Sequence, residues 1–327
     1  MLFKADYKTE IIKEAEYPAV MASIEKTLAE YAVRGTFNSF DGCQIAYEYY
    51  LTENSRASVI IVHGFTEFSQ KYHEMCWYFM RMGYSVFLYD QRGHGLSGRS
   101  VSDPHLAHIE NFYDYVRDLE EYCDRIVIPN TDGTPIYLYS QSMGGAVSAL
   151  YLAAHSEKID RAVLSAPMIC PETRGIPRKI VQNFVKKAAG KYGWENKFKY
   201  AGEFTSEVKF DQTSDLSRNR FEYYLNIRIG DIHYQNSSST NRWIHEALSV
   251  QDILLKRKNA QKIKSRVLII SAENDTVVRN RPQQIFASLL PLGRFVQIAG
   301  AKHNLYNSAE PTLSEYVNLI LNFFGEN

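Results

Sequence analysis

The sequence predicts an α/β architecture: a mostly parallel, eight-stranded sheet flanked by helices, with an inserted helical cap. Three observations lead there. Short β-branched and aromatic runs alternate with longer stretches of helical spacing, as parallel strands joined by crossover helices require. Some of these runs are continuously apolar, such as Val59-Ile60-Ile61-Val62, as expected of a strand buried on both faces. The alternation breaks between residues 170 and 249, a segment rich in Lys, Arg, Tyr and Asn with no clear apolar strand.

Taken in order, residues 20–32 have helical spacing and are expected as an N-terminal helix. Strand-like runs at 36–40 and 44–50 flank Asp41-Gly42, a strong hairpin signal. After the strand at 59–62 comes a helical stretch, 72–82, which Gly83 breaks before another buried strand at 85–89. A long amphipathic stretch, 112–128, precedes the apolar run that starts at Ile136 and ends abruptly at small residues. A helix-forming run, 146–154, follows at once. Further strands are expected at 161–165, 266–271 and 295–298, with 312–324 as the closing helix. The chain thus divides into a core of residues 1–169 and 250–327 and a cap of 170–249, roofing the strand ends.

Bulk properties narrow the function. At 327 residues the chain is long enough for a large core. Its 37 basic and 37 acidic residues cancel, which argues against a nucleic-acid binder held by bulk charge. The N-terminus runs into charged residues rather than an apolar leader, and no stretch is long and apolar enough to span a membrane. Cys43, Cys76, Cys123 and Cys170 are scattered and read as reduced, mostly buried thiols. A cytoplasmic protein is expected, free or peripheral to the inner face of the membrane. Ser237-Ser238-Ser239 reads as a short flexible run.

The chemistry concentrates at Ser140-Gln141-Ser142-Met143-Gly144. A chain that turns this sharply from strand to helix strains the turn residue and pushes its side chain outward, the nucleophile-elbow arrangement G-x-S-x-G. Ser140 stands where the first glycine would be, and serine is small. A serine nucleophile needs a base oriented by a carboxylate, following it in the order serine, acid, histidine. Of nine histidines, four follow Ser142, and only His303 lies beyond the last strand. The acid should follow the strand at 266–271; Asp275 is the choice and Glu273 the fallback. The oxyanion requires two backbone donors, assigned to Met143 and, beside the permissive Gly64, to Phe65. His63, ahead of the nucleophile, is read as bracing its loop. A metal site at Asp103, His105 and His108 is disfavoured by the crowding of three ligands on a Pro-containing loop.

These pieces, with Asp90-Gln91-Arg92-Gly93-His94-Gly95-Leu96-Ser97-Gly98-Arg99, resemble the monoacylglycerol lipase and bacterial lysophospholipase group of the α/β-hydrolase superfamily, of serine aminopeptidase type. Residues 103–108 with Phe112, Tyr115 and Asp118, and the segments 161–167 and 243–247, are similar to the lysophospholipase branch. The resemblance covers most of residues 35–325 and implies the α/β-hydrolase fold. It also implies a serine hydrolase that cuts single-chain acyl esters, with Ser142, Asp275 and His303 on the triad positions. Ser140 departs from the family's elbow glycine. No metal or organic cofactor is implied.

The cap qualifies the substrate. From Pro171 to Tyr200 eight basic residues (Arg174, Arg178, Lys179, Lys186, Lys187, Lys191, Lys197 and Lys199) face two acids, Glu172 and Glu195. Ile180, Val181, Phe184, Val185 and Ala188 share a helical stripe among them, expected either over an acyl pocket or against an anionic membrane. Phe68, Tyr223, Tyr224 and Trp243 are the pocket-lining choices. The expected substrate is a lipid-like or small ester, with the oligomeric state open. Three rivals stand beside it: a small-ester carboxylesterase, a proline-iminopeptidase-type peptidase, which needs an acidic cluster for a free amino group, and a non-enzymatic binding protein.

Overall fold

Runs apolar on both faces become the interior strands. The computed structural model describes residues 1–198 and 202–326. Lys199 and Tyr200, at the end of the basic segment counted above, lie outside them. Every residue of β3 (Ser58–Val62), β4 (Ser85–Tyr89) and β6 (Ile136–Gln141) is buried. With β1 (Val33–Asn38), β2 (Gln44–Tyr50), β7 (Arg161–Ser165), β9 (Arg266–Ala272) and β10 (Gly293–Ile298) they form one sheet, ordered β1-β2-β4-β3-β6-β7-β9-β10. β1 and β2 are antiparallel, as are β2 and β4, and the other neighbours run parallel. The antiparallel β1 shows the half-exposed pattern of a sheet edge. Two short strands, β5 (Leu106–Ala107) and β8 (Ser238–Ser239), pair with each other outside that sheet.

Flanking helices are α1 (Tyr17–Tyr31), α2 (His73–Arg81), α3 (Tyr113–Tyr122), α4 (Met143–His155), α10 (Asn280–Leu289) and α11 (Thr312–Gly325). Residues 170–249 hold α5 (Arg178–Tyr192), α6 (Arg218–Gly230) and α7 (Asn241–Ser249), followed by the short α8 (Gln251–Leu254) and α9 (Arg257–Ala260). A buried arginine ties α6 to the N-terminal elements. Arg220, only 1% exposed, binds both Glu74 carboxylate oxygens, Glu14 and the Ile12 carbonyl, and its guanidinium sits 4.4 Å from the Tyr17 ring centroid. No helix among the described residues is long and apolar enough to cross a membrane.

The amphipathic stretch at 112–128 folds as α3, a π turn at Cys123–Val127 and the start of a 3-10 turn at Ile128–Asn130, where Pro129 lacks the N–H to continue. Two local expectations are corrected. The serine run at 237–239 is no flexible linker. Ser238 and Ser239 are buried in β8, where the Ser238 and Thr240 N–H groups donate to the carbonyls of His105 and Ala107. The stripe expected on α5 splits. Val185 and Ala189 are buried, while Ile180 and Phe184 are 59% and 41% exposed. Polar bonds set that rotation: Arg178 reaches the Leu248 carbonyl and Asp252, and Gln182 reaches Ser249, which turns their side of α5 toward α7.

Candidate active site

β6 ends at Gln141 and α4 begins at Met143, so the whole reversal falls on Ser142. Its φ of +50° and ψ of −115° are unfavourable for a side-chain-bearing residue. Tertiary bonds impose them: the Ser142 N–H donates to the Ser165 carbonyl (2.9 Å), and the Ser142 carbonyl accepts from the Met168 N–H (2.8 Å). The following glycines are required by close packing. A Cβ on Gly144 would lie 2.1 Å from the Val62 carbonyl oxygen, and one on Gly145 would lie 2.6 Å from the Pro167 Cβ. The preceding position is less demanding. Ser140 is buried and its hydroxyl donates to the Val163 carbonyl of β7 at 3.3 Å, so serine fits where the family resemblance has glycine.

The structure brings the three residues singled out in the sequence together. His303 Nε2 lies 2.9 Å from Ser142 Oγ, and His303 Nδ1 lies 2.7 Å from Asp275 Oδ2. With Nδ1–H donating to the carboxylate, Nε2 is left to accept the serine proton. The other Asp275 oxygen accepts from the N–H groups of Val277 and Val278 at 2.8 and 2.9 Å, and its side chain is fully buried. Glu273, the fallback, is exposed and accepts from the Gly300 N–H at 2.8 Å, bracing the histidine loop from its far side. Gln141 Nε2 donates to the His303 carbonyl at 2.9 Å and couples that loop to the elbow.

The Phe65 and Met143 N–H groups donate to no protein acceptor among the described residues, and the two loops meet there: a Cβ on Gly64 would lie 3.3 Å from the Ser142 Cβ. His63 braces the Phe65 loop. Its Nε2 accepts from the Gln91 N–H at 2.9 Å and its Nδ1 meets the Gly64 carbonyl at 2.7 Å, while burial pulls its pKa down. Asp90 fixes the neighbouring loop by accepting from Ser69 and from the Leu96 N–H. Asp103 accepts from the His105 N–H, while His105 and His108 reach residues beside β8, the Gln235 carbonyl at 3.1 Å and Thr240 Oγ1 at 2.9 Å.

The sequence reading missed Glu67. Its Oε2 accepts from the Gly64 N–H (2.7 Å) and the Tyr72 hydroxyl (2.5 Å), and its Oε1 accepts from Lys71 Nζ (2.8 Å) and the Tyr306 hydroxyl. Burial pushes this carboxyl up, but Lys71 and the two phenols outweigh burial and hold it at about 2. Glu67 and Lys71 were legible as an i, i+4 pair; Tyr306 lies 239 residues away.

Ser142 and His303 open into a cavity of about 320 Å³. Val208, Phe221, Leu225 and Val277 give it apolar walls, and Glu67, Lys71, Asp215 and Arg228 give it charge. Of the four lining residues chosen from sequence, Tyr224 lines it together with Phe65. The other three stand behind it. Phe68 is buried in a stack on Tyr234, and Tyr223 packs edge-on against Tyr17. Trp243 supports Phe65 from 4.0 Å while its indole N–H donates to the Tyr115 hydroxyl.

Residues 53–310 match the family model for serine aminopeptidase, S33. The chain belongs to this hydrolase family. Lysophospholipase L2 of Escherichia coli K12 is 27% identical over 298 residues, spanning 88% of this chain and 86% of that protein. Monoglyceride lipase of Saccharomyces cerevisiae is 28% identical over 142 residues, spanning 41% of this chain and 44% of that protein. Among solved structures, a soluble variant of the yeast monoglyceride lipase superposes with a TM-score of 0.68 at 20% identity, covering 89% of this chain and 95% of that one. A carboxyl esterase from Bacillus coagulans gives 0.73 at 18% identity, covering 90% and 98%. Both share the α/β-hydrolase fold with this chain.

Proposed function

We propose that this hydrolase cleaves single-chain carboxylic esters, lysophospholipid or monoacylglycerol, through an acyl-enzyme. The observation that carries the reading is the unbroken relay Asp275–His303–Ser142, with Ser142 Oγ facing an apolar-walled cavity. In this mechanism Ser142 Oγ attacks the acyl carbonyl as His303 Nε2 takes its proton, and Asp275 stabilises the imidazolium. The Phe65 and Met143 N–H groups receive the oxyanion. His303 then protonates the leaving alcohol, and water activated in the same way frees the fatty acid and restores Ser142. Residues 170–249 serve as the cap over this cavity, and the exposed basic side of α5 meets an anionic lipid surface.

The names of the lysophospholipase and monoglyceride lipase relatives support the lipid ester class. One feature suits a peptidase instead: Asp215 is buried in the cavity wall and would welcome a substrate ammonium. Arg228 and Lys71 in the same cavity oppose that ammonium. The test is fatty-acid release from lysophosphatidylcholine, monoacylglycerol and short nitrophenyl esters, beside aminoacyl nitroanilides. Ester cleavage that disappears in a folded Ser142→Ala protein is expected. Retained activity in that variant, or cleavage of the anilides alone, rejects the reading.

A further inference from the structure

Among the described residues two cations line the cavity, Lys71 and Arg228, and they differ in what neutralises them. Lys71 is paired with Glu67 at 2.8 Å. Arg228, on α6, has no carboxylate within ion-pair distance among the described residues. Its Nε donates to the Tyr234 carbonyl at 3.0 Å and its Nη2 to the Asn236 carbonyl at 2.6 Å. The Phe204 ring centroid lies 5.1 Å from the guanidinium carbon. A guanidinium has five N–H donors, so the two carbonyls hold the fork in place and leave three donors, both on Nη1 among them, without an acceptor among the described residues. Burial pulls the Arg228 pKa down, and the carboxylate whose field opposes that, Glu67, is already saturated by four donors. A guanidinium held by two carbonyls, part-buried and with no carboxylate in ion-pair distance among the described residues, in a cavity that Asp215 also lines, is suited to an anionic part of the substrate.

We infer that Arg228 binds the phosphate of a lysophospholipid headgroup in the Ser142 cavity and so favours phosphate-bearing over neutral acyl glycerols. This rests on the ester-hydrolase reading above and adds to it a substrate class. Arg228 reaches no reacting atom in this account. It is a binding residue that acts through KM, whereas a purely structural arginine would affect every substrate alike.

The experiment compares hexanoyl lysophosphatidylcholine with hexanoyl glycerol, soluble esters that differ by the phosphocholine group, in wild type, Arg228→Gln and Arg228→Lys. A charge-assisted hydrogen-bond pair corresponds to roughly 10- to 100-fold in binding. Arg228→Gln is expected to raise KM for the phosphate ester by about that factor, with KM for hexanoyl glycerol within about twofold of wild type. Arg228→Lys, which keeps the charge but not the fork, should fall between. Equal losses on both esters in Arg228→Gln overturn the inference, as does an unchanged KM for the phosphate ester.

A second arm needs no lipid turnover. Glycerophosphocholine should inhibit nitrophenyl butyrate hydrolysis by wild type and lose that inhibition in Arg228→Gln. The same inhibition in both proteins overturns the inference, and so does its absence in wild type. A wild-type protein that cleaves none of these esters rejects the ester-hydrolase reading itself, a result distinct from loss of phosphate preference alone.

Discussion

Replacing Glu67 by glutamine keeps the side-chain shape and removes one charge, which isolates what the carboxylate does beneath the Gly64-Phe65 loop. Four donors converge on it: the Gly64 N–H, the Tyr72 and Tyr306 hydroxyls and Lys71 Nζ. A carboxylate has about four acceptor positions, so the site is filled. A glutamine amide has one oxygen and two N–H donors, so at least two of the four donors lose their acceptor. Each hydrogen bond to a charged group contributes about 1.5–3 kcal/mol, for a total of about 3–6 kcal/mol. Lys71 is 15% exposed and can turn partly to water, so the lower end, about 3 kcal/mol, is expected. Typical domain stability is about 5–15 kcal/mol, so the variant should still fold. Its Phe65 loop loses the anchor at Gly64, and kcat on nitrophenyl butyrate should fall, with the loss of one oxyanion donor, roughly 100- to 1000-fold, as the ceiling. Urea unfolding and steady-state kinetics read both effects. A change under about 1 kcal/mol with wild-type kcat would refute the reasoning. The Lys71→Met and Glu67→Gln double-mutant cycle assigns the share that belongs to the ion pair.

Two other predictions concern the buried His73 and the helix α5. His73 is buried between Glu48 at 2.6 Å and Glu25 at 2.8 Å; burial lowers its pKa, but the two carboxylates outweigh this and raise it from 6.5 to about 10. A raised folded-state value gives stability that is complete below pH 6.5 and is lost as pH rises toward 10. Over that window the unfolding free energy should fall by at most about 1.4 kcal/mol per pH unit, and His73→Asn should lose this component. Identical slopes in the two proteins would exclude it. On α5 and the turn before it, Ile180 and Ile176 are 59% and 50% exposed beside the exposed Lys179, Lys187 and Lys191 of the helix and Arg174 of the turn. The protein should therefore co-sediment with phosphatidylglycerol vesicles at low salt. With about 1 kcal/mol per basic residue, a Lys179→Gln, Lys187→Gln variant should bind roughly 30-fold more weakly. No binding of wild type at low salt rejects a membrane-facing α5.

The sequence by itself determined the elements whose causes are local. The apolar runs at 59–62 and 86–89 had no soluble place except between two covered faces, and both became interior strands. Asp41-Gly42 set the hairpin, with Gly42 at a φ of +86°. The serine, acid and histidine order singled out Ser142, Asp275 and His303 because each follows a strand, and parallel strands deliver such loops to one end of the sheet. Where preferences were nearly balanced, only the tertiary structure decided. Ile180 and Phe184 faced outward because Arg178 and Gln182 found acceptors near α7, a choice that depends on residues about 70 positions away. Ser238 and Ser239 became a strand because His105 and Ala107 offered carbonyls. Glu67 and Arg228 were unremarkable charged residues in the sequence. Their roles arise from burial beside Tyr306 and from the carbonyls of Tyr234 and Asn236. Backbone pattern is written in neighbouring residues, whereas the charge balance of a cavity depends on side chains brought together from across the chain.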